Sequence, residues 1–106
     1  MATGREFAVF IMDQLSGLDG AACRPMMGEY VLYVGGKVVG GLYDDRLLVK
    51  PTPSALAMLP DAVGELPYPG AKEMLLVDRV EDREFLRELL TSAAEDLPAP
   101  KRKGKR

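Results

Sequence analysis

The sequence predicts an α+β domain of two layers. An antiparallel sheet, a meander plus a fourth strand, carries N- and C-terminal helices packed on one face. Apolar residues recur at helical spacing near both ends, while the middle is a series of short β-branched and aromatic runs cut by two-residue turns. Strands of this kind flanked by helices bury both apolar surfaces most simply by stacking helix on sheet. A length of 106 residues allows one such domain with one core, and no division into two.

The first helix is read from Phe7, Phe10, Ile11, Leu15 and Leu18, which form one apolar stripe. Thr3 and Glu6 match a capping box, which would satisfy two backbone donors at its start. Gly17 suits its end, because glycine enters the left-handed region without penalty. Residues 24–28 read as a loop before the sheet. The runs 30–34 and 37–43 flank Gly35-Gly36, the mark of a hairpin with a primed turn. Asp44-Asp45 then turns the chain into a third run, 46–50. Gly40-Gly41 inside the second run predicts a close approach by another element, most simply the first or last helix.

Pro51 and Pro53 end the third strand, Ser54 is the expected cap of a short helix reaching Leu59, and Pro60 closes it. Residues 64–70, with Pro67 and Pro69, read as loop. Residues 73–78 give the fourth strand, around Met74, Leu75, Leu76 and Val77. Asp82 caps a last helix whose apolar face is Phe85, Leu86, Leu89, Leu90, Ala93 and Leu97. The domain is expected to span residues 1–98. Pro98 and Pro100 bracket the start of residues 99–106, read as a disordered basic tail.

Composition narrows the chemistry. There is no histidine and one cysteine, which removes Ser-His-Asp and Cys-His catalysis and the usual zinc sites. The alternating acidic loop of a calcium site is absent too. Cys23 cannot form an internal disulfide, so a reducing, cytoplasmic setting is expected. No apolar run approaches the ~20 residues that span a bilayer, and no membrane association is expected. The net charge of −2 hides an asymmetry, since five of the 14 basic groups lie in residues 101–106. Residues 1–100 hold nine basic against 16 acidic groups, a net of −7. Such a body repels phosphate backbones, and only weak, non-specific nucleic-acid binding through the tail is expected.

Four local patterns have structural explanations. Gly35-Gly36-Lys37 lacks the order of a phosphate loop and reads as a turn. Asp44-Asp45 is a turn pair rather than a pair of catalytic acids. Cys23 precedes Arg24, which could activate a thiol, although packing is the simpler role. The methionines serve core filling by default, with Met26-Met27 standing apart because of their position before the sheet.

From Arg24 the chain reads Arg24-Pro25-Met26-Met27-Gly28-Glu29-Tyr30-Val31-Leu32-Tyr33, then Gly36-Lys37, then Asp44-Asp45-Arg46-Leu47-Leu48-Val49-Lys50. In order and spacing this resembles the N-terminal domain of the TfoX/Sxy family of bacterial proteins, over about residues 5–95. The family pattern is R-x-M-F-G-G, a tyrosine-bearing strand, a G-K turn, and a strand opening on Asp and closing on Lys. Tyr68 falls where members carry a later tyrosine segment. Met27 replaces the usual Phe and Glu29 the usual Gly. Members that regulate competence carry a further C-terminal domain, for which this sequence has no room.

The resemblance implies a non-enzymatic regulatory or protein-interaction domain, linked to transcription or competence, with a protein partner and no cofactor or metal. Homodimerisation stays open. The residues it singles out are Arg24, Met26, Met27, Gly28, Tyr33, Lys50 and Tyr68, of types enriched at interfaces. The same residues also have a purely structural reading: Arg24 pairing with an acid, Gly28 meeting a backbone constraint, Tyr33 packing on a helix. The alternative function is a small-molecule or catalytic cleft between the proline-rich loop and the meander, with Arg24, Lys50 and Tyr68 as its polar groups.

Overall fold

Three pairs of residues with positive φ organise the sheet in the computed structural model, which describes residues 3–98. Met27-Gly28 (φ 53° and 86°), Gly35-Gly36 (61° and 81°) and Asp44-Asp45 (54° and 57°) each form a two-residue hairpin turn of the primed kind. They join β1 (Ala21–Met26), β2 (Glu29–Val34), β3 (Lys37–Tyr43) and β4 (Arg46–Val49) into one meander. Two of the turns are those read from sequence. The third corrects the reading of residues 24–28 as loop: Arg24, Pro25 and Met26 lie on β1, and Met27-Gly28 is its turn.

After β4 come helix α2 (Pro53–Met58), the short β5 (Gly64–Glu65), β6 (Met74–Val77) and helix α3 (Arg83–Asp96), with α1 (Arg5–Gln14) preceding β1. The six strands form one antiparallel sheet in the order β1-β2-β3-β4-β6-β5. Gly64 and Glu65 therefore pair with Leu75 and Met74 instead of lying in a loop. The core lies between one sheet face and the helices. Leu32, Val39, Leu42, Leu47 and Val49 meet Ile11 and Leu15 of α1 and Leu86, Leu89, Leu90 and Ala93 of α3, all at 2% exposure or less. Phe10 is 38% exposed, so the buried stripe of α1 is Ala8, Ile11 and Leu15. Buried Gln14 beside it is satisfied by donating to the Val80 carbonyl at 2.8 Å.

The helix caps differ from expectation at two of three ends. Gly4 is the N-cap of α1 and supplies no side-chain bond, because Thr3 points elsewhere. Thr52, not Ser54, caps α2, accepting from the Ala55 N–H at 3.2 Å. Asp82 caps α3 as read, accepting from the Phe85 N–H at 3.1 Å. Residues 99–106, read as a basic tail, lie outside the described residues.

A bulge in β3 decides which side chains face away from the helices. Tyr33 pairs with Val38 but Leu32 pairs with Gly40, so Val39 is an extra residue. Val39 and Leu42 are both fully buried in the core although three residues apart, which no regular strand permits. Gly40 absorbs the distortion: a Cβ there would meet the Leu48 carbonyl oxygen and lie 2.8 Å from the Val49 Cα. At Gly41 a Cβ would stand 2.5 Å from the Tyr43 ring and 2.7 Å from the Tyr30 carbonyl oxygen. The close approaches that require Gly40-Gly41 thus come from the neighbouring strands β2 and β4 and from Tyr43, not from a helix.

Candidate functional site

The second face of the sheet, opposite the helices, begins with Arg24 and Met26 on β1 and Val31 and Tyr33 on β2. Their register sets them on the side away from Cys23 and Leu32. Beyond the bulge, Gly41 pairs with both Val31 and Leu48, which brings Tyr43 to this same face. Lys50 follows buried Val49 and its side chain emerges here. The segment after β5 then folds back over part of the face and carries Tyr68.

Between that segment and the strands runs a groove of about 820 Å³. Its floor and walls include Met26, Tyr33, Tyr43, Lys50, Tyr68 and Met74, and its far end reaches Asp96 of α3 and Leu97, the C-cap of that helix. Tyr43 and Tyr68 form a tilted aromatic pair with centroids 6.3 Å apart and planes at 58°. The Arg24 guanidinium lies 5.4 Å from the centre of the Tyr33 ring. Burial pushes the Tyr43 hydroxyl above its ordinary range, and the nearby Tyr68, Glu29 and Tyr33 push it the same way. Tyr43 therefore keeps its phenolic proton at neutral pH in the middle of the groove.

The structure unites Met26, Tyr33, Lys50 and Tyr68 of the residues singled out from sequence, with Arg24 laid on Tyr33. Met27 and Gly28 sit apart at the hairpin tip, where Met27 is 97% exposed. Gly28 meets a backbone demand, with φ 86°, and its carbonyl accepts from the Thr3 N–H at 3.0 Å. Two of the structural readings fail on geometry. Among the described residues Arg24 holds no carboxylate, and Tyr33 faces away from the helices. Sequence reasoning missed Tyr43. Counting from the Gly35-Gly36 turn without the bulge places it on the core side, and only the paired glycines hinted at an irregularity.

Neither edge of the sheet is open for strand addition. In a two-residue hairpin the flanking pair, Met26 with Glu29, exchanges backbone bonds, so Ala21, Cys23 and Pro25 point outward from β1. The Ala21 N–H donates to the Leu18 carbonyl at 3.3 Å, and Pro25 has none to give. That leaves Cys23 as the one outward donor of the strand. Proline at this position costs no ladder bond and blunts the edge. The opposite edge, β5, is two residues long.

Among the described residues no group of three or more His, Cys, Asp or Glu side chains gathers as a metal site, and no helix is long and apolar enough to cross a membrane.

The model of the TfoX N-terminal domain family matches residues 13–97, from the end of α1 to the last residue of the groove. The chain belongs to that family. This TfoX-family domain is also similar to a protein of Spirochaeta aurantia described as an uncharacterized 12.7 kDa protein in the trpE 5′ region. The two are 42% identical over 102 residues, covering 95% of this chain and 89% of the relative. No solved structure matches it.

Proposed function

We propose that this TfoX-family domain is a non-enzymatic regulatory module that binds a segment of a partner protein, with the tyrosine-lined groove as its docking site. The observation that carries this reading is the half-solvated state of two groove side chains, Tyr68 at 56% and Met26 at 48% exposure. Large apolar side chains left in water along a concave face are what a partner covers, and Tyr, Met and Arg are the types that give such contacts their energy. The blunted sheet edges support the same reading, because they direct any partner to the face. A cytoplasmic home and a role in transcription or competence belong to the same proposal, motivated by the lone cysteine and the family.

The alternative is a small-molecule cleft. Its volume falls in the range of ligand pockets, and Lys50 and Tyr68 stand in it as that reading requires. Yet Arg24 rests on Tyr33 and is not among the lining side chains, and the pocket leaves Tyr68 more than half in water. The groove also offers no nucleophile with a base, since the chain has no histidine and Cys23 faces the core. The test is photo-crosslinking from a probe residue at position 68 in intact cells, beside a Tyr33→Ala/Met26→Ala form. A discrete protein adduct that the double variant loses is expected. Equal labelling of both forms would sink the docking site.

A further inference from the structure

Of the cations that make no ion pair among the described residues, Lys50 and Lys72 line the groove and Arg24 lies beside it, while Arg5 and Arg87 lie elsewhere. Residues 3–98 contain nine lysines and arginines. Arg46, Arg79 and Arg83 hold Glu65, Asp82 and Asp13, and Lys37 donates to the Ala94 carbonyl at 2.9 Å. Among the described residues, no carboxylate makes an ion pair with Arg24, Lys50 or Lys72. Lys50 and Lys72 line the groove and Arg24 covers one of its tyrosines.

Two acids, Glu73 and Asp96, also line the groove, and Asp96 is tied into the fold. Asp96 accepts from the Ser54 N–H at 2.7 Å, and that bond, with the Ser54 and Thr52 hydroxyls, holds its carboxyl below the usual range. The Glu73 carboxylate packs against Gly64, at the β5 side.

We propose that the groove's occupant is an acidic linear segment of a partner protein that also carries aromatic or large aliphatic side chains. This rests on the reading of the groove as a protein-docking site. Arg24, Lys50 and Lys72 supply charge for two or three carboxylates, while Tyr33, Tyr43, Tyr68 and Met26 supply flat, polarisable walls for rings between them. A nucleic-acid strand fits less well. Its regular phosphates extend past three cations onto a body that carries −7, whereas a short peptide sets its charges against the cations alone.

The test is titration of the full chain with three dye-labelled twelve-residue peptides, followed by anisotropy and by the methyl NMR signals of Met26 and Met74. The first alternates aspartate with phenylalanine, the second has lysine for aspartate, and the third has alanine for phenylalanine. A single-stranded oligonucleotide and naphthalene sulfonate are run beside them. The acidic aromatic peptide is expected to bind at least about tenfold more tightly than either control and to shift both methyl groups. Lys50→Glu with Lys72→Glu should reverse the preference between the first two peptides. Tighter binding of the lysine peptide at the same methyl groups overturns the charge assignment and leaves the docking groove standing. Tighter binding of the oligonucleotide there overturns the peptide assignment. Methyl shifts from naphthalene sulfonate alone, or from no probe, overturn both this inference and the docking reading.

Discussion

The Thr3 hydroxyl donates to Oε1 of Glu29 at 2.7 Å and accepts from the Asp45 N–H at 3.2 Å. The same Glu29 oxygen accepts from the Asp44 N–H at 3.1 Å, and Oδ1 of Asp45 accepts from the Gly4 N–H at 2.8 Å. The chain entering α1 is thus fastened across two hairpin turns by one buried hydroxyl and two carboxylates. Glu29, which stands where the family pattern has Gly, joins all three segments. Thr3→Val, which keeps shape and removes the hydroxyl, should cost about 1–3 kcal/mol by leaving the Asp45 N–H without its partner. Urea unfolding of Thr3→Val, Glu29→Ala and the double variant should show non-additivity. Full additivity would mean that the two residues act separately.

Gly40 should tolerate no side chain. A Cβ there is driven into the β4 backbone at Leu48 and Val49, which cannot rotate away as a side chain could. Gly40→Ala is expected to cost about 3 kcal/mol or more, at or beyond the upper end for overpacking. Gly41→Ala meets the Tyr43 ring at 2.5 Å and the Tyr30 carbonyl oxygen at 2.7 Å, so it should displace Tyr43, perturb the groove and strain the pairing with β2. Thermal unfolding ranks the two. A Gly40→Ala form as stable as the parent would refute the account of the bulge.

Much of this fold was legible because local signals and tertiary structure agree. Paired glycines and paired aspartates name their turns, and Asp82 and the α3 stripe name their helix. Where reading failed, a local signal was present but ambiguous. Pro25 and the small residues Ala21 and Ala22 weaken strand propensity, and only pairing with β2 reveals an edge strand that accommodates proline. Thr3 and Glu6 had the right spacing for a capping box, yet Thr3 is claimed by Glu29, 26 positions away. The groove was half legible. Motif residues pointed to it, but Tyr43 reaches it through the Val39 bulge, a one-residue shift that alternation cannot foresee.

Acid should weaken the fold through its caps. The Phe85 N–H, with Arg79 beside it, holds the Asp82 carboxyl below the ordinary range, and the Ser54 N–H does the same for Asp96. Both carboxyls release protons more readily folded than unfolded. Their stabilisation is complete above the unfolded value of about 3.9 and is lost as pH falls through the lower folded values. The midpoint of thermal unfolding should therefore hold steady from pH 7 to 5 and drop below about pH 4. Asp82→Asn, which keeps a competent cap, should flatten that drop. Parallel curves for the variant and the parent would exclude Asp82 as a source.

Cys23 should be sluggish toward alkylating reagents. Its side chain packs against the core, and burial pushes its thiol above the ordinary range. Arg24, the one neighbour that could have activated it, projects from the opposite face of β1 onto Tyr33. The folded protein is expected to react with iodoacetamide at least roughly tenfold more slowly than the urea-unfolded chain. Equal rates would show that the thiol is open, and faster reaction in the fold would show activation.

Duplex DNA is the partner that the proposed regulatory role invites, and the charges argue against it. Helix α3 sets Glu84, Glu88, Glu95 and Asp96 against Arg83 and Arg87, and Arg83 is held by Asp13 at 3.5 Å. Such a helix presents no basic surface to a major groove. Lys101, Arg102, Lys103, Lys105 and Arg106 remain as phosphate contacts. With all five engaged, log K against log salt would slope by at most about −4.5. Binding to a labelled duplex should therefore be weak and indifferent to sequence, vanishing both at physiological salt and on deletion of residues 101–106. Titration of the intact and shortened chains at two salt concentrations decides the matter. Sub-micromolar, sequence-selective binding by the shortened chain would place a DNA-reading surface on the acidic body itself, against the charge argument made here.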